Sequence, residues 1–243
     1  MHVPDGFLDA PTSVATGVVA VAAVGIALRG ARRELDDRTA PVAGLVAAFV
    51  FAAQMVNFPV GAGTSGHLIG GALAAVLAGP FTATLCLAVV LGVQSVFFAD
   101  GGLTALGTNI TLLAIVAVWV AWGVVALGRL VLPRRLGVIA PLAAVAAFAS
   151  VPVAAAVFTA LYAVGGTTSI DIGAVLAAMV GTHLLIGLGE AAVTAFVVSA
   201  VVAVRPDLVY AARPALQQRR EDLVRRSGAD AALASASTTG ASR

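Results

Sequence analysis

The stretch at residues 66–98, GHLIGGALAAVLAGPFTATLCLAVVLGVQSVFF, is apolar along almost its whole length. Its main interruption is the pair Gly79-Pro80, and a proline is compatible with the start of a helix but not with its interior. A helix that crosses a bilayer needs about 20 apolar residues. The stretch therefore predicts a short helix at 66–79 and a full span at 81–98, joined as a tight helical hairpin.

The apolar character of this stretch extends over the rest of the chain. Of the 243 residues, 60% are hydrophobic and 11% are charged, and the mean hydropathy is +1.03. Soluble domains carry about 25% charged residues, so the sequence predicts an all-α integral membrane protein. Its apolar runs predict a seven-helix transmembrane bundle within residues 1–204, with spans at 11–29, 41–58, 66–79, 81–98, 104–127, 137–163 and 172–204.

The basic residues predict the orientation of this bundle. All fourteen are arginines, and they lie at 29–38, at 129–135 and after the last span. With seven spans these three regions share one side of the membrane, which the positive-inside rule makes cytoplasmic. We therefore expect a multi-pass cell-membrane protein with its N-terminus outside. The polar tail, 205–243, is expected to be a cytoplasmic interfacial helix followed by disorder. Its arginines are expected to be orientation signals that meet anionic lipid, with binding of a specific cytosolic partner as the alternative, and no nucleic-acid binding is expected.

Several classes of activity lack their sequence signatures. The chain has no HExxH, GxSxG or P-loop motif, and it has no lysine, so ATP hydrolysis would have to come from another subunit. The single Cys86 excludes an internal disulfide and a cysteine-rich zinc site. No basic segment precedes the first apolar run, so we expect no cleavable signal peptide. A transport subunit is favoured over an enzyme.

The first two residues carry the ligand groups of a metal chelate. The amine of Met1, the amide nitrogen of His2 and its imidazole Nδ1 can close five- and six-membered rings around one ion. The predicted topology brings His67 to the same outer side, where it could supply a fourth nitrogen. Four nitrogens in a plane suit Ni²⁺ or Cu²⁺, and Co²⁺ can be forced into that geometry.

Other polar residues lie near this predicted site. Four of them could orient the metal ligands through hydrogen bonds, or could serve only as caps and helix contacts: Gln54, Asn57, Thr64 and Ser65. Asp100 could attract cations or belong to a turn, and Asn109 is a weaker candidate for orienting the ligands.

His183 and Glu190 lie seven residues apart on the last span and so share a helical face. A second metal stop, a proton-linked step and a buried His–Glu hydrogen bond are all open, and the hydrogen-bonded structural pair is favoured. Two other function classes also remain open. One is a membrane-embedded redox or metalloenzyme subunit using His183, for example as a haem ligand, and the other is a stand-alone metal channel.

Four segments together resemble the CbiM/NikM family, the substrate-binding membrane subunits of energy-coupling factor transporters for cobalt and nickel. They are MHVPDGFL (1–8), AAFVFAAQMVNFPV (47–60), GTSGHLIGGALAAVLAGP (63–80) and FADGGLTALGTN (98–109). The resemblance covers roughly residues 1–200. It implies a seven-helix bundle that holds Ni²⁺ or Co²⁺ in a square plane through Met1, His2 and His67, with no organic cofactor.

The resemblance also implies the partners. A transmembrane coupling subunit, two ATP-binding cassette ATPases and a small accessory membrane subunit would complete the transporter, and cobalt taken up could serve cobalamin synthesis. The segment Gly63-Thr64-Ser65-Gly66-His67 is similar to the nickel-type pattern of the family, whereas cobalt-associated members more often show Ser-Cys-Ser-His. Nickel and cobalt both remain open.

Overall fold

The computed structural model describes residues 1–36, 39–61 and 64–240, and the chain is mostly helical. Arg38, Gly63 and Arg243, which enter the predictions above, lie outside the described residues. The helices are α1 (Ala10–Glu34), α2 (Ala40–Gln54), α3 (Gly71–Ala78), α4 (Pro80–Phe97), α5 (Leu106–Val131), α6 (Ile139–Gly165), α7 (Ile172–Val204) and α8 (Arg213–Gly240). Helix α5 contains a π-helical stretch at Ile110–Val116, and a 3₁₀ turn at Leu136–Val138 precedes α6.

Within the described ranges, five helices are long and apolar enough to cross a membrane: α1, α4, α5, α7, and α6 together with its preceding 3₁₀ turn. Helix α2 has 15 residues and is shorter than a typical span. This pattern supports an integral membrane protein. Seven crossings and the outside position of the N-terminus stay predictions.

The third predicted span, 66–79, is wrong in extent. Helix α3 has only eight residues, and all of them are buried in the core. The segment before it is not helical because Gly70 has a left-handed backbone (φ +77°), and because the backbone N–H groups of Ile69 and Gly70 donate to the carboxylate of Glu190. The backbone groups that would start the helix earlier are therefore bound elsewhere.

The second predicted span, 41–58, also ends early, at Gln54. It is followed by a two-stranded antiparallel hairpin, β1 (Phe58–Gly61) and β2 (Thr64–Gly66). The expectation of an all-α fold is thus right for the bundle but misses this small hairpin, which leads directly into His67.

The break at Gly79-Pro80 is confirmed. Gly79 adopts φ +97° and Pro80 is the first residue of α4. The carboxylate of Glu34 caps α4 by accepting from the backbone N–H groups of Phe81 and Thr82, at 3.1 and 2.7 Å. A carboxylate at a helix N-terminus satisfies donors that have no partner within the helix, so α1 and α4 are joined at this end of the bundle.

Arginines gather at the end of the bundle where α1 finishes. Arg213 donates to the backbone carbonyl of Glu34, and Arg129 donates to that of Ala211, each at 2.7 Å. Helix α1 has 25 residues and is therefore about 37 Å long, which separates this end from the N-terminus of the chain. The division into a membrane domain at 1–204 and a tail at 205–243 stays a prediction.

Candidate metal centre

The first nine residues are folded back into the protein. Met1 is 1% exposed and Val3 is fully buried. The side chain of Asn109 accepts from the N–H of Val3 at 2.7 Å and donates to its carbonyl at 3.1 Å. The N–H of Gly102 donates to the same carbonyl at 2.9 Å. The N-terminus is therefore a buried part of the structure.

A second group of contacts holds the segment after Val3. Asp5 accepts from the backbone N–H and the hydroxyl of Thr104, and the Thr167 hydroxyl donates to the Gly6 carbonyl at 2.6 Å. The N–H of Asp9 donates to the carbonyl of Gly165 at 2.7 Å. These contacts come from two distant loops, so the N-terminal segment is held along its length.

Gly101 explains why the FADGG segment can approach the N-terminus so closely. It adopts φ +90°, and a Cβ atom there would lie 3.0 Å from Asn109 Nδ2 and 3.5 Å from the side chain of His2. A side chain at this position would be strained and would press on Asn109, while its Cβ would only reach ordinary contact with His2.

His2 and His67 come together in the structure, as the topology predicted. Their imidazole rings stack with centroids 4.3 Å apart and planes at 26°. His2 Nδ1 lies 2.9 Å from Asp100 Oδ1, although off the line of a hydrogen bond. Asp100 Oδ2 accepts from Asn57 at 2.9 Å, so Asn57 and Asp100 form a chain of polar contacts that ends at His2.

His67 has the ring arrangement of a metal ligand. It is fully buried, and its Nδ1 lies 2.8 Å from the carbonyl of Leu68. Because a carbonyl only accepts, Nδ1 carries the proton, and the lone pair is on Nε2. This Nε2 has no hydrogen-bond partner in the described part of the chain. A histidine whose other nitrogen donates to a carbonyl is oriented as metal-binding histidines usually are.

The loop that carries His67 is bound from two helices. Gln54 on α2 donates to the carbonyl of Ile69 at 2.8 Å. Glu190 on α7 accepts from the N–H groups of Ile69 and Gly70, at 2.7 and 2.9 Å. Gln54 therefore touches the backbone of this loop, as the sequence allowed, and does not cap a helix.

The predicted pair of His183 and Glu190 is corrected by these contacts. His183 Nδ1 bonds the carbonyl of Met179 on its own helix at 2.7 Å, while both oxygens of Glu190 bind the loop of His67. The two side chains share a helical face but have different partners, because the loop backbone offers Glu190 two donors at once.

The charge state of the N-terminus suits metal binding. Burial lowers the pKa of the Met1 amine well below its ordinary value near 8, and the opposing attraction of Asp100 is smaller. Burial also lowers the pKa of His2, against the opposing attraction of the Asp100 carboxylate. Both shifts favour the neutral forms of these groups, whose nitrogen lone pairs a metal ion can take.

Side chains alone do not make a metal site here. Over the residues that the structure describes, no three or more His, Cys, Asp or Glu side chains form a metal-binding group. A site at this place therefore needs backbone nitrogen, which is what a histidine at position 2 provides.

Of the remaining predicted neighbours, Thr64 and Ser65 have a described backbone, in β2, but their side chains are outside the described part. They do not cap α3, whose N-cap is Gly70. The anchoring roles of Asn109, Thr104 and Thr167 on the N-terminal segment were not predicted. The polar residues that recur in the 98–109 segment are a sequence signal that could have indicated the roles of Thr104 and Asn109.

Comparison with known proteins finds relatives that are named for metal transport. Residues 2–208 match the family model for the CbiM cobalt uptake substrate-specific transmembrane region. The chain is 40% identical over 212 residues to a protein of Archaeoglobus fulgidus whose name is "Putative fused nickel transport protein NikMN". The match covers 86% of this chain and 68% of that protein. It is 36% identical over 216 residues to a cobalt transport protein, CbiM, of Sorangium cellulosum, covering 86% and 94%.

A solved structure shares the fold. The crystal structure of a truncated transition metal transporter superposes with a TM-score of 0.76 at 28% identity, covering 84% of this chain and 99% of that one. The match of the family model to most of the chain settles the relationship. The chain belongs to the CbiM family, the substrate-specific membrane components of cobalt and nickel transport.

Proposed function

We propose that this protein captures Ni²⁺ or Co²⁺ at the outer face of the cell membrane and is the substrate-binding subunit of an ATP-driven energy-coupling factor transporter. The observation that carries the proposal is the meeting of a buried N-terminal amine, His2 and the free Nε2 of His67. Together with the His2 amide nitrogen, these groups provide four nitrogen ligands.

The chelate uses the Nδ1 atom of His2, because only that ring nitrogen closes a six-membered ring with its own amide. In the structure this atom lies beside Asp100, at 2.9 Å from Oδ1. Binding of the metal ion therefore requires the ring to turn over about its Cβ–Cγ bond. After the turn Nδ1 belongs to the chelate and Nε2–H is available to polar neighbours on the other side of the ring.

The nitrogen set favours some ions over others. Deprotonated amide nitrogen in a square plane suits Ni²⁺ and Cu²⁺, and Co²⁺ can adopt that arrangement, whereas Mg²⁺ and Ca²⁺ prefer oxygen ligands. The names of relatives refer to both nickel and cobalt transport. We propose the same pair of ions for this chain, with cobalt uptake serving cobalamin synthesis where cobalt is the cargo.

The chain has no lysine and so no P-loop lysine, and we propose that the energy comes from partner subunits. These are a transmembrane coupling subunit, two ATP-binding cassette ATPases and a small accessory membrane subunit. The arginine-rich end of the bundle would then face the cytoplasm.

The experiment that tests this function compares the full chain with an authentic N-terminus and a variant with one extra residue before Met1. Both are purified and titrated with Ni²⁺ and Co²⁺, followed by absorption spectroscopy and metal analysis. The extended variant converts the amine into an amide and displaces it, so it should lose high-affinity binding and the square-planar spectrum. Retention of both by the extended variant would show that the chelate is not the site.

A further inference from the structure

Two different helices, α2 and α7, hydrogen-bond the same residue of the loop that carries His67. The N–H of Ile69 donates to Glu190 on α7 at 2.7 Å, and the carbonyl of the same residue accepts from Gln54 on α2 at 2.8 Å. A second oxygen of Glu190 accepts from the N–H of Gly70 at 2.9 Å. Gln54, Ile69 and Glu190 are all buried, so water does not compete for these bonds.

The position of the His67 ring depends on this same loop. Its Nδ1 donates to the carbonyl of Leu68, the residue immediately before Ile69. A shift of the Ile69 backbone therefore moves the acceptor that orients the ring, and with it the direction of Nε2. Within the described residues, no other helix or strand hydrogen-bonds the ring nitrogens of His67.

The chemistry of Glu190 matches its two donors. A carboxylate offers an acceptor oxygen to each N–H group, whereas an amide in its place offers one acceptor and an NH₂ group that repels the other donor. A carboxylate inside a membrane protein is costly to bury, and such residues are functional candidates by default. The two hydrogen bonds of Glu190 to the loop that carries His67 give this carboxylate a role besides helix packing.

We propose that Glu190 and Gln54 are positioning residues that set where the Nε2 atom of His67 meets the metal ion. The proposal rests on the proposed function, in which His67 is a ligand. It adds that a helix far away in the sequence, α7, helps to define the geometry of the site through its single buried carboxylate.

The test uses the full chain with an authentic N-terminus and nickel alone as the probe. The variants are Glu190→Gln, Gln54→Leu and the double substitution, and the control is Thr194→Val. Thr194 is also buried on α7, and its hydroxyl bonds none of the groups that the structure describes. Each protein is titrated with Ni²⁺, and the absorption spectrum of the bound ion is recorded at saturation.

Glu190→Gln should weaken nickel binding by about 10- to 100-fold, as loss of the groups that orient a ligand commonly does, and should move the absorption band of the bound ion. Gln54→Leu should act in the same direction. Because both residues hold one loop, the double variant should lose less than the product of the two single losses. Thr194→Val should leave the affinity and the spectrum unchanged.

Wild-type affinity and an unshifted band in Glu190→Gln would overturn the proposal. If that variant does not fold, Gln54→Leu decides in the same way, since an unchanged affinity and band there would also overturn it. These outcomes are separate from the proposed function, which stands or falls on the wild-type protein and its N-terminally extended form.

Discussion

The side-chain amide of Asn109 pairs with both backbone groups of Val3, accepting at 2.7 Å and donating at 3.1 Å. This is the hydrogen-bond pattern of one strand beside another, supplied here by one side chain at the start of α5. It fixes the residue that follows His2, and so it fixes the direction in which the amide and ring of His2 face. An N-terminus that would ordinarily fray becomes a rigid part of a site.

Replacing Asn109 by leucine should therefore affect stability and metal binding together. The buried N–H of Val3 loses its partner, at a cost of about 1–3 kcal/mol, while the Val3 carbonyl keeps the bond from Gly102. Met1 and His2 lose their anchor. We expect a lower midpoint of thermal unfolding without metal and a weaker nickel affinity. Thr111→Val, which removes a bond to the carbonyl of Thr16, is the control and should lower only stability. Equal nickel affinity in the two variants would show that Asn109 does not position the site.

The two buried histidines of the bundle should respond differently to truncation. His67→Ala removes a nitrogen ligand, and the loss should exceed the 10- to 100-fold typical of groups that only orient a ligand. His183→Ala removes a ring that bonds its own helix and should weaken binding far less. Nickel titration of both variants measures the difference. A larger loss in His183→Ala than in His67→Ala would reassign the ligand.

The number of protons released on binding should report the buried amine. Burial lowers the pKa of the Met1 amine and of His2, which favours their neutral forms, so that the main proton to leave on binding is that of the His2 amide. We expect about one proton per nickel ion, whereas an exposed amine with a pKa near 8 would raise this to about two. Calorimetry in buffers of different ionisation enthalpy gives the number.

The control for this measurement is the tripeptide Met-His-Val, whose amine is in water. It should release about two protons per nickel ion under the same conditions. Equal release by the peptide and the protein would mean that the amine titrates normally in the fold.

Gly70 should be intolerant of even a methyl group. Its φ is +77°, and a Cβ atom would lie 2.7 Å from a methyl group of Val50. A left-handed non-glycine residue costs about 1–2 kcal/mol, and the clash adds to it, so Gly70→Ala should unfold at lower temperature and bind nickel more weakly. Gly92→Ala, on α4 with open space around it, should be neutral or stabilising. Comparison of the two unfolding midpoints and affinities checks this prediction.

The sequence predicted well wherever one local property decided the outcome. The last span was placed at 172–204, and α7 runs over the same residues, because a long apolar run with an aspartate cap has one favourable conformation in a membrane. The helix break at Gly79-Pro80 follows in the same way from proline chemistry. The chelate of Met1 and His2, which stays a prediction, also rests on a local property, because its rings involve only two residues.

The sequence failed where backbone groups find partners far away in the chain. Residues 67–70 are apolar and glycine-rich and look like the start of a helix, but Glu190 takes the N–H groups that such a helix would use. The same carboxylate was expected to pair with His183, which is nearer in sequence. Periodicity on one helix shows which side chains share a face, but not what lies opposite that face.

The amino-acid sequence by itself determined a membrane-embedded helical chain and predicted a metal-chelating pair of residues at its start, since apolar content and chelate-ring size are properties of short segments. Only the tertiary structure decided that the pair is buried against His67, that Asn109 holds it there, and that Glu190 and Gln54 hold the facing loop. The physical reason is that hydrogen bonds between buried groups must be satisfied across the whole fold, and the partner of each group depends on how the helices pack.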